Sequence, residues 1–80
     1  MSFSQKYKSV FSEVFEIEEE LVETLEYQSI PQWDSVGHMS LMAELEDTFD
    51  ITLEMDDIID FSSYKKGIET LSKYGVTIDS

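Results

Sequence analysis

Apolar residues recur along this chain at helical spacing. Phe3, Tyr7, Val10, Phe11 and Val14 fall at i, i+4, i+7, i+8 and i+11, which predicts an amphipathic helix from about Ser4 to Phe15 with one face on a core. The pattern then lapses. Ile17, Leu21 and Leu25 stand among seven carboxylates between Glu13 and Glu26, and Pro31, the one proline, disfavours helix at Ile30. This stretch predicts a long connection with one short helical turn.

Periodicity resumes after Ser35. Leu41, Met42, Leu45 and Phe49 share a face, Asp34 and Ser35 are both residue types that cap a helix N-terminus, and Asp50, Ile51 and Thr52 break the pattern. The second helix is therefore expected to begin just after Ser35 and to end near Phe49. Asp56, Asp57 and Asp60 alternate with Ile58, Ile59 and Phe61 over a segment that suits only a short, turn-like third helix. Ser62 or Ser63 can cap a last helix carrying Tyr64, Ile68 and Leu71 inward and Lys65, Lys66 and Lys73 toward solvent, closed by Gly75 as a left-handed C-cap. The final VTIDS is expected to be a loose tail. Together these elements predict an all-α fold, a small antiparallel four-helix bundle of three longer helices and one short one, with a long loop between the first two. Residues 1–80 form one domain.

Composition narrows the partners. A domain of this size buries about 60% of the surface its unfolded chain exposes, and 41% apolar residues with ten aromatics suffice for one modest core. Eighteen carboxylates against five lysines, with no arginine, give a net charge of -13, which disfavours nucleic acid and anionic membranes and favours basic protein surfaces. The absence of cysteine rules out a disulfide framework and a thiolate zinc site and fits a reducing compartment. With no signal-peptide pattern and no long apolar run, the expectation is a cytoplasmic monomer that does not insert into membranes.

Among possible chemistries, catalysis fares poorly. Asp34, Ser35 and His38 have the residue types of a hydrolytic triad, but an aspartate adjacent to the nucleophile cannot readily orient the far ring nitrogen of the base, and no glycine-rich elbow surrounds the serine. His38 reads instead as a partly buried helix residue one turn below Ser35, its ring reaching a nearby acceptor. Calcium loops started at Asp47 or Asp56 place Phe49 and Ile51, or Ile58, at ligand positions and lack the glycine at the sixth, so no metal site is predicted beyond weak divalent-ion binding to the acidic surface. Two readings of Ser35 remain open. It is an ordinary N-cap, or it is an accessible hydroxyl that accepts a phosphate ester, which a helix N-terminus stabilises by about 0.3–1 kcal/mol.

Asp34-Ser35, the run VGHMSLMAELEDTF behind it, Phe49-Asp50-Ile51, the acidic EMDD and the Ser62-Ser63 opening of the last helix together resemble an acyl carrier protein over essentially the full chain. The resemblance implies 4'-phosphopantetheine attached to Ser35, with Asp34 as the flanking motif residue, donated from coenzyme A by a phosphopantetheinyl transferase. An acyl or aminoacyl cargo would ride as a thioester on the arm's thiol, loaded by a ligase and passed to acyl-transferring enzymes. The carrier itself would have no catalytic residues.

In the family, partners approach along the second helix, which implies docking through Val36, Met39 and Ala43 flanked by Glu44, Glu46 and Asp47. Cargo slips between the second and third helices, where the lining would be Met42, Leu45, Ile58, Ile59, Phe61 and Tyr64, bulky enough to point to short or polar cargo. Trp33 would pack over the base of the arm or the loop, or anchor the core. Gln32-Trp33 before the motif and Val36-Gly37-His38 after it depart from the common fatty-acid carrier, Gly37 at about 1 kcal/mol relative to Ala. They point to a dedicated pathway. The alternative is a non-enzymatic acidic inhibitor or adaptor in which Ser35 is only a cap.

Overall fold

The computed structural model describes residues 3–78. The chain is an all-α bundle: α1 (Phe3–Phe15), a 3-10 helix (Glu19–Thr24), α2 (Ser35–Phe49), α3 (Met55–Asp60) and α4 (Tyr64–Ser72). α1 packs on α2 and on the 3-10 helix, which in turn packs on α4. The expected turn in the first connection is this 3-10 helix, which contributes Val22 to the core.

The core is aromatic at its centre. Tyr7, Phe11 and Phe15 of α1 meet Trp33, Phe61 and Tyr64, with Phe11 within 6.3 Å, centroid to centroid, of each of the other five rings. Leu41, Met42 and Leu45 of α2 and Leu71 of α4 close around them. The Tyr7 hydroxyl donates to the Tyr64 carbonyl at 2.6 Å. Burial, reinforced by the neighbouring Tyr64 phenol, holds the Tyr7 hydroxyl protonated well above the ordinary range. Gly67 makes room for this contact, since a Cβ there would sit 2.1 Å from the Tyr7 hydroxyl and from the Phe61 ring.

Helix ends follow a common rule. Asp34 and Ser63 cap α2 and α4, accepting from the N–H groups of Gly37 and Lys66. α1 and α2 then stop on a residue in the left-handed region, Glu16 (φ 55°) and Asp50 (φ 54°), and the turn that follows α4 ends on another, Gly75 (φ 83°). In each case the next residue, Ile17, Ile51 or Val76, donates its N–H back five residues, to Ser12, Glu46 or Leu71. This is the Schellman closure, and each time it turns an aliphatic side chain onto the core.

That closure corrects the expectation of a loose tail. Val76 and Ile78 are buried because Gly75 redirects the chain onto the core, while Asp79 and Ser80 lie outside the described residues. Lys73, expected to face solvent freely, is exposed but paired with Asp57 at 3.2 Å. A hydrogen bond from the Tyr74 hydroxyl, and then Lys73, lower the Asp57 pKa.

Asp50 occupies a conformation that disfavours a Cβ, and it places a carboxylate at the negative end of α2. Asp50→Gly is therefore expected to stabilise the fold by about 1 kcal/mol, whereas Ala43→Gly, in the middle of the same helix, destabilises it by about as much. Urea unfolding midpoints moving in opposite directions would bear this out; a lower midpoint for Asp50→Gly would contradict it.

Candidate functional site

The site begins with the turn that precedes α2. Residues 26–33 fold tightly on themselves: Ser29 bonds both backbone groups of Glu26, the Gln28 N–H donates to the Trp33 carbonyl, and Gln28 takes φ 67°. Glu26 forms an isolated antiparallel bridge with Ser63, and the Tyr27 N–H donates to the Ser62 carbonyl at 2.8 Å. The turn is thereby pinned to the junction between α3 and α4.

Trp33 leaves this turn pointing inward. It is fully buried, stacked on Phe15 at 5.2 Å and edge-on to Phe11 at 5.6 Å. The indole is thus a core residue, and it does not lie over the base of an arm. Its Nε1–H donates to His38 Nδ1 at 3.0 Å, and the other ring nitrogen, Nε2, lies 2.7 Å from the Ile58 carbonyl. An indole N–H can only donate, so Nδ1 is the acceptor and the ring proton sits on Nε2, donating to Ile58. His38 thereby ties the first turn of α2 to α3. Both of its nitrogens are occupied, and neither faces Ser35 as a base would.

Asp34 takes the capping position with extended backbone, its Oδ1 accepting from the Gly37 N–H at 2.8 Å. Ser35 is therefore not the cap. It is the first helical residue, exposed, with its Oγ 3.3 Å from the Tyr27 hydroxyl. The difference is local competition: of two adjacent capping types, the carboxylate accepts the helix N–H, and the serine hydroxyl is left to the surface.

Ser35 opens onto a groove of ≈ 380 Å³ between the start of α2 and α3, whose apolar walls are Met39, Met55, Ile58, Ile59 and Phe61. Tyr27, His38 and Ser62 complete the lining. Of the six residues expected to surround cargo, Ile58, Ile59 and Phe61 lie here. Met42, Leu45 and Tyr64 do not: all three are buried in the core, Tyr64 against Tyr7 and Phe11. Helical spacing marks an inward face but does not separate a packed core from a cavity wall.

The outward face of α2 carries the residues expected there. Val36 is 76% exposed and Met39 54%, with Ala43 and Asp47 also exposed and Glu44 half-buried. Glu46 is different, since its Oε2 accepts from the Leu53 N–H at 2.7 Å and so braces the loop into α3. Met55 and Ile59 of α3, 67% and 70% exposed, extend the apolar strip across the groove. Sequence reasoning named Ile59 as groove lining but missed Met55, although a methionine standing between Glu54 and Asp56 was a usable sign. It also missed Tyr27, which no periodicity places beside Ser35. Between Glu16 and Tyr64 lie fifteen of the eighteen carboxylates and none of the five lysines. Carboxylates thus dominate the segment that builds the groove, with Lys73 reaching in from beyond α4 to pair with Asp57 of α3.

No three histidine, aspartate or glutamate side chains converge to hold a metal ion among the described residues, and no described helix is long and apolar enough to cross a membrane. Comparison with protein-family models, with curated proteins and with solved structures found no match in any of the three.

Gly37 has a packing reason beyond any role in partner choice. A Cβ at this position would lie 2.0 Å from the Gln32 carbonyl oxygen, a backbone atom held by the turn. Gly37→Ala is expected to destabilise the fold by about 1–3 kcal/mol despite alanine's better helix propensity. Chemical denaturation measures this, and a stabilised variant would contradict the close approach.

Proposed function

We propose that this chain is an acyl carrier protein whose Ser35 accepts a 4'-phosphopantetheine arm from coenzyme A. The observation that carries the reading is the division of labour at the start of α2. Asp34 does the capping, so the Ser35 hydroxyl is exposed and unused by the helix. A serine that served only as a cap would have its oxygen engaged by the N–H groups of the first turn. The alternative of an acidic adaptor with a merely capping Ser35 loses its explanation of the serine.

The surroundings fit the group. An exposed hydroxyl leaves room for a transferring enzyme, the positive end of α2 favours an anionic diester, and the groove beside it offers apolar cover to whatever the arm carries. Attachment forms one P–O bond to Ser35 Oγ and breaks the pyrophosphate P–O bond of coenzyme A; adenosine 3',5'-bisphosphate leaves and the serine proton passes to the transferring enzyme. When bound, the group supplies the thiol that this cysteine-free chain lacks. The chain's own residues orient and present: Asp34 fixes the first turn, His38 holds α2 against α3, and Tyr27 stands beside the attachment oxygen.

The groove is open on one side and the bundle interior is filled by Met42 and Leu45, so cargo is short or polar and rides at the surface. Its loading and transferring enzymes dock on Val36, Met39 and Ala43 with Met55 and Ile59, steered by the surrounding carboxylates toward basic surfaces. The chain works as a cytoplasmic monomer without catalytic activity of its own, in a dedicated pathway and not in bulk fatty-acid synthesis. Tethering raises the effective concentration of cargo at each enzyme.

Incubation with coenzyme A and a broad-specificity phosphopantetheinyl transferase, followed by intact-mass measurement, tests the reading. The wild-type chain is expected to gain one group and Ser35→Ala none. An unchanged wild-type mass, or a gain that persists in Ser35→Ala, would refute it.

A further inference from the structure

Tyr27 stands beside Ser35 and takes no part in capping α2. Its hydroxyl lies 3.3 Å from Ser35 Oγ, and no other side chain hydrogen-bonds to that oxygen among the described residues. This separation is long for an O–H···O bond, whose usual range is about 2.5–3.0 Å, so the phenol is placed beside the serine without being firmly committed to it. Its position is nevertheless set by the fold. The Tyr27 N–H is bonded to Ser62, Glu26 next to it bridges to Ser63, and the ring stands edge-on to His38 at 5.4 Å and to Trp33 at 6.5 Å.

Resting on the assignment of Ser35 as the attachment point, we propose that Tyr27 is the anchoring residue for the diester, its phenol donating to a non-bridging phosphate oxygen and holding the base of the arm over the groove. Esterification removes the serine's own proton and creates an anionic acceptor at the same place. A hydrogen bond from a neutral hydroxyl to such an anion is shorter and about twice as strong as one between neutral groups. The surroundings need a donor of this kind. Asp34 is adjacent, and no lysine is among the residues that line the groove with Ser35 to neutralise the new charge. Ser62, the other exposed hydroxyl lining the groove, has no hydrogen bond to Ser35 and serves as the internal control.

Phosphorus NMR of the coenzyme A-modified protein reads the contact without any partner enzyme. In wild type the diester resonance is expected to differ in shift and to be broader than in the same protein unfolded in urea. Tyr27→Phe keeps the ring and its edge contacts; it should gain the group fully, yet lose most of the native shift difference and sharpen. Ser62→Ala should keep the wild-type spectrum. A Tyr27→Phe spectrum identical to wild type would overturn the anchoring role while leaving the attachment intact. Failure of the wild-type chain to take up the group at all would overturn the attachment and the anchor together.

Discussion

The chain of hydrogen bonds from Trp33 through His38 to Ile58 is the constraint on which the site depends. A fully buried indole must find an acceptor, since an unsatisfied buried N–H costs about 1–3 kcal/mol, and Trp33 finds it in the first turn of α2. The imidazole passes the requirement on to a backbone carbonyl of α3. Three parts of the molecule that share no regular secondary structure are thereby locked: the aromatic core, the helix that begins with Ser35, and the short helix that forms the far wall of the groove. α3 has no fully buried residue and no side-chain cap of its own, so links such as this one and the Asp57 contacts to Lys73 and Tyr74 are what hold it.

Around that lock, packing and charge are segregated. The interior is rings and apolar side chains with Thr70 as a buried polar residue, its hydroxyl donating to the Lys66 carbonyl, and no buried side-chain polar atom is left unpartnered among the described residues. Four of the five lysines lie on α1 and α4, the fifth, Lys73, follows α4 and pairs with Asp57, and the segment that builds the groove carries carboxylates and no lysine of its own. Like charges at this density oppose the compact state, and two of the three left-handed closures carry acidic residues where glycine would be less strained. A fold tuned only for stability would have neither feature. Both are compatible with a surface shaped for recognition, in which an apolar strip of Val36, Met39, Met55 and Ile59 is exposed on a strongly acidic chain.

Much of the fold was legible in the sequence because it rests on local rules. The spacing of Tyr7, Val10 and Phe11 marks α1, the break at Asp50 marks the end of α2, and Ser63 and Gly75 bracket α4. On α2 the exposure was legible: once Leu41, Met42, Leu45 and Phe49 fill the inner face, Val36, Met39 and Ala43 fall outside, as they do in the fold. What escaped depends on tertiary contacts. Tyr27 reaches Ser35 only because its backbone is bonded to Ser62. Glu46, expected only as a docking charge, also braces the loop into α3 because its carboxylate accepts from the Leu53 N–H. Met42, Leu45 and Tyr64 share a face with true groove residues or follow them in sequence, and only packing shows which side of the wall they occupy. The choice between Asp34 and Ser35 as cap is likewise undecided by residue type, since both are good caps, and it falls to geometry.

His38 is fixed as a structural bridge, accepting from Trp33 and donating to Ile58. A long-range proton–nitrogen NMR spectrum of the imidazole at neutral pH tests it most directly. A single tautomer with the proton on Nε2 and an acceptor-type Nδ1 is expected, together with a Trp33 indole proton slow to exchange with solvent. A proton on Nδ1, or two tautomers in rapid exchange beside a fast-exchanging indole, would contradict it.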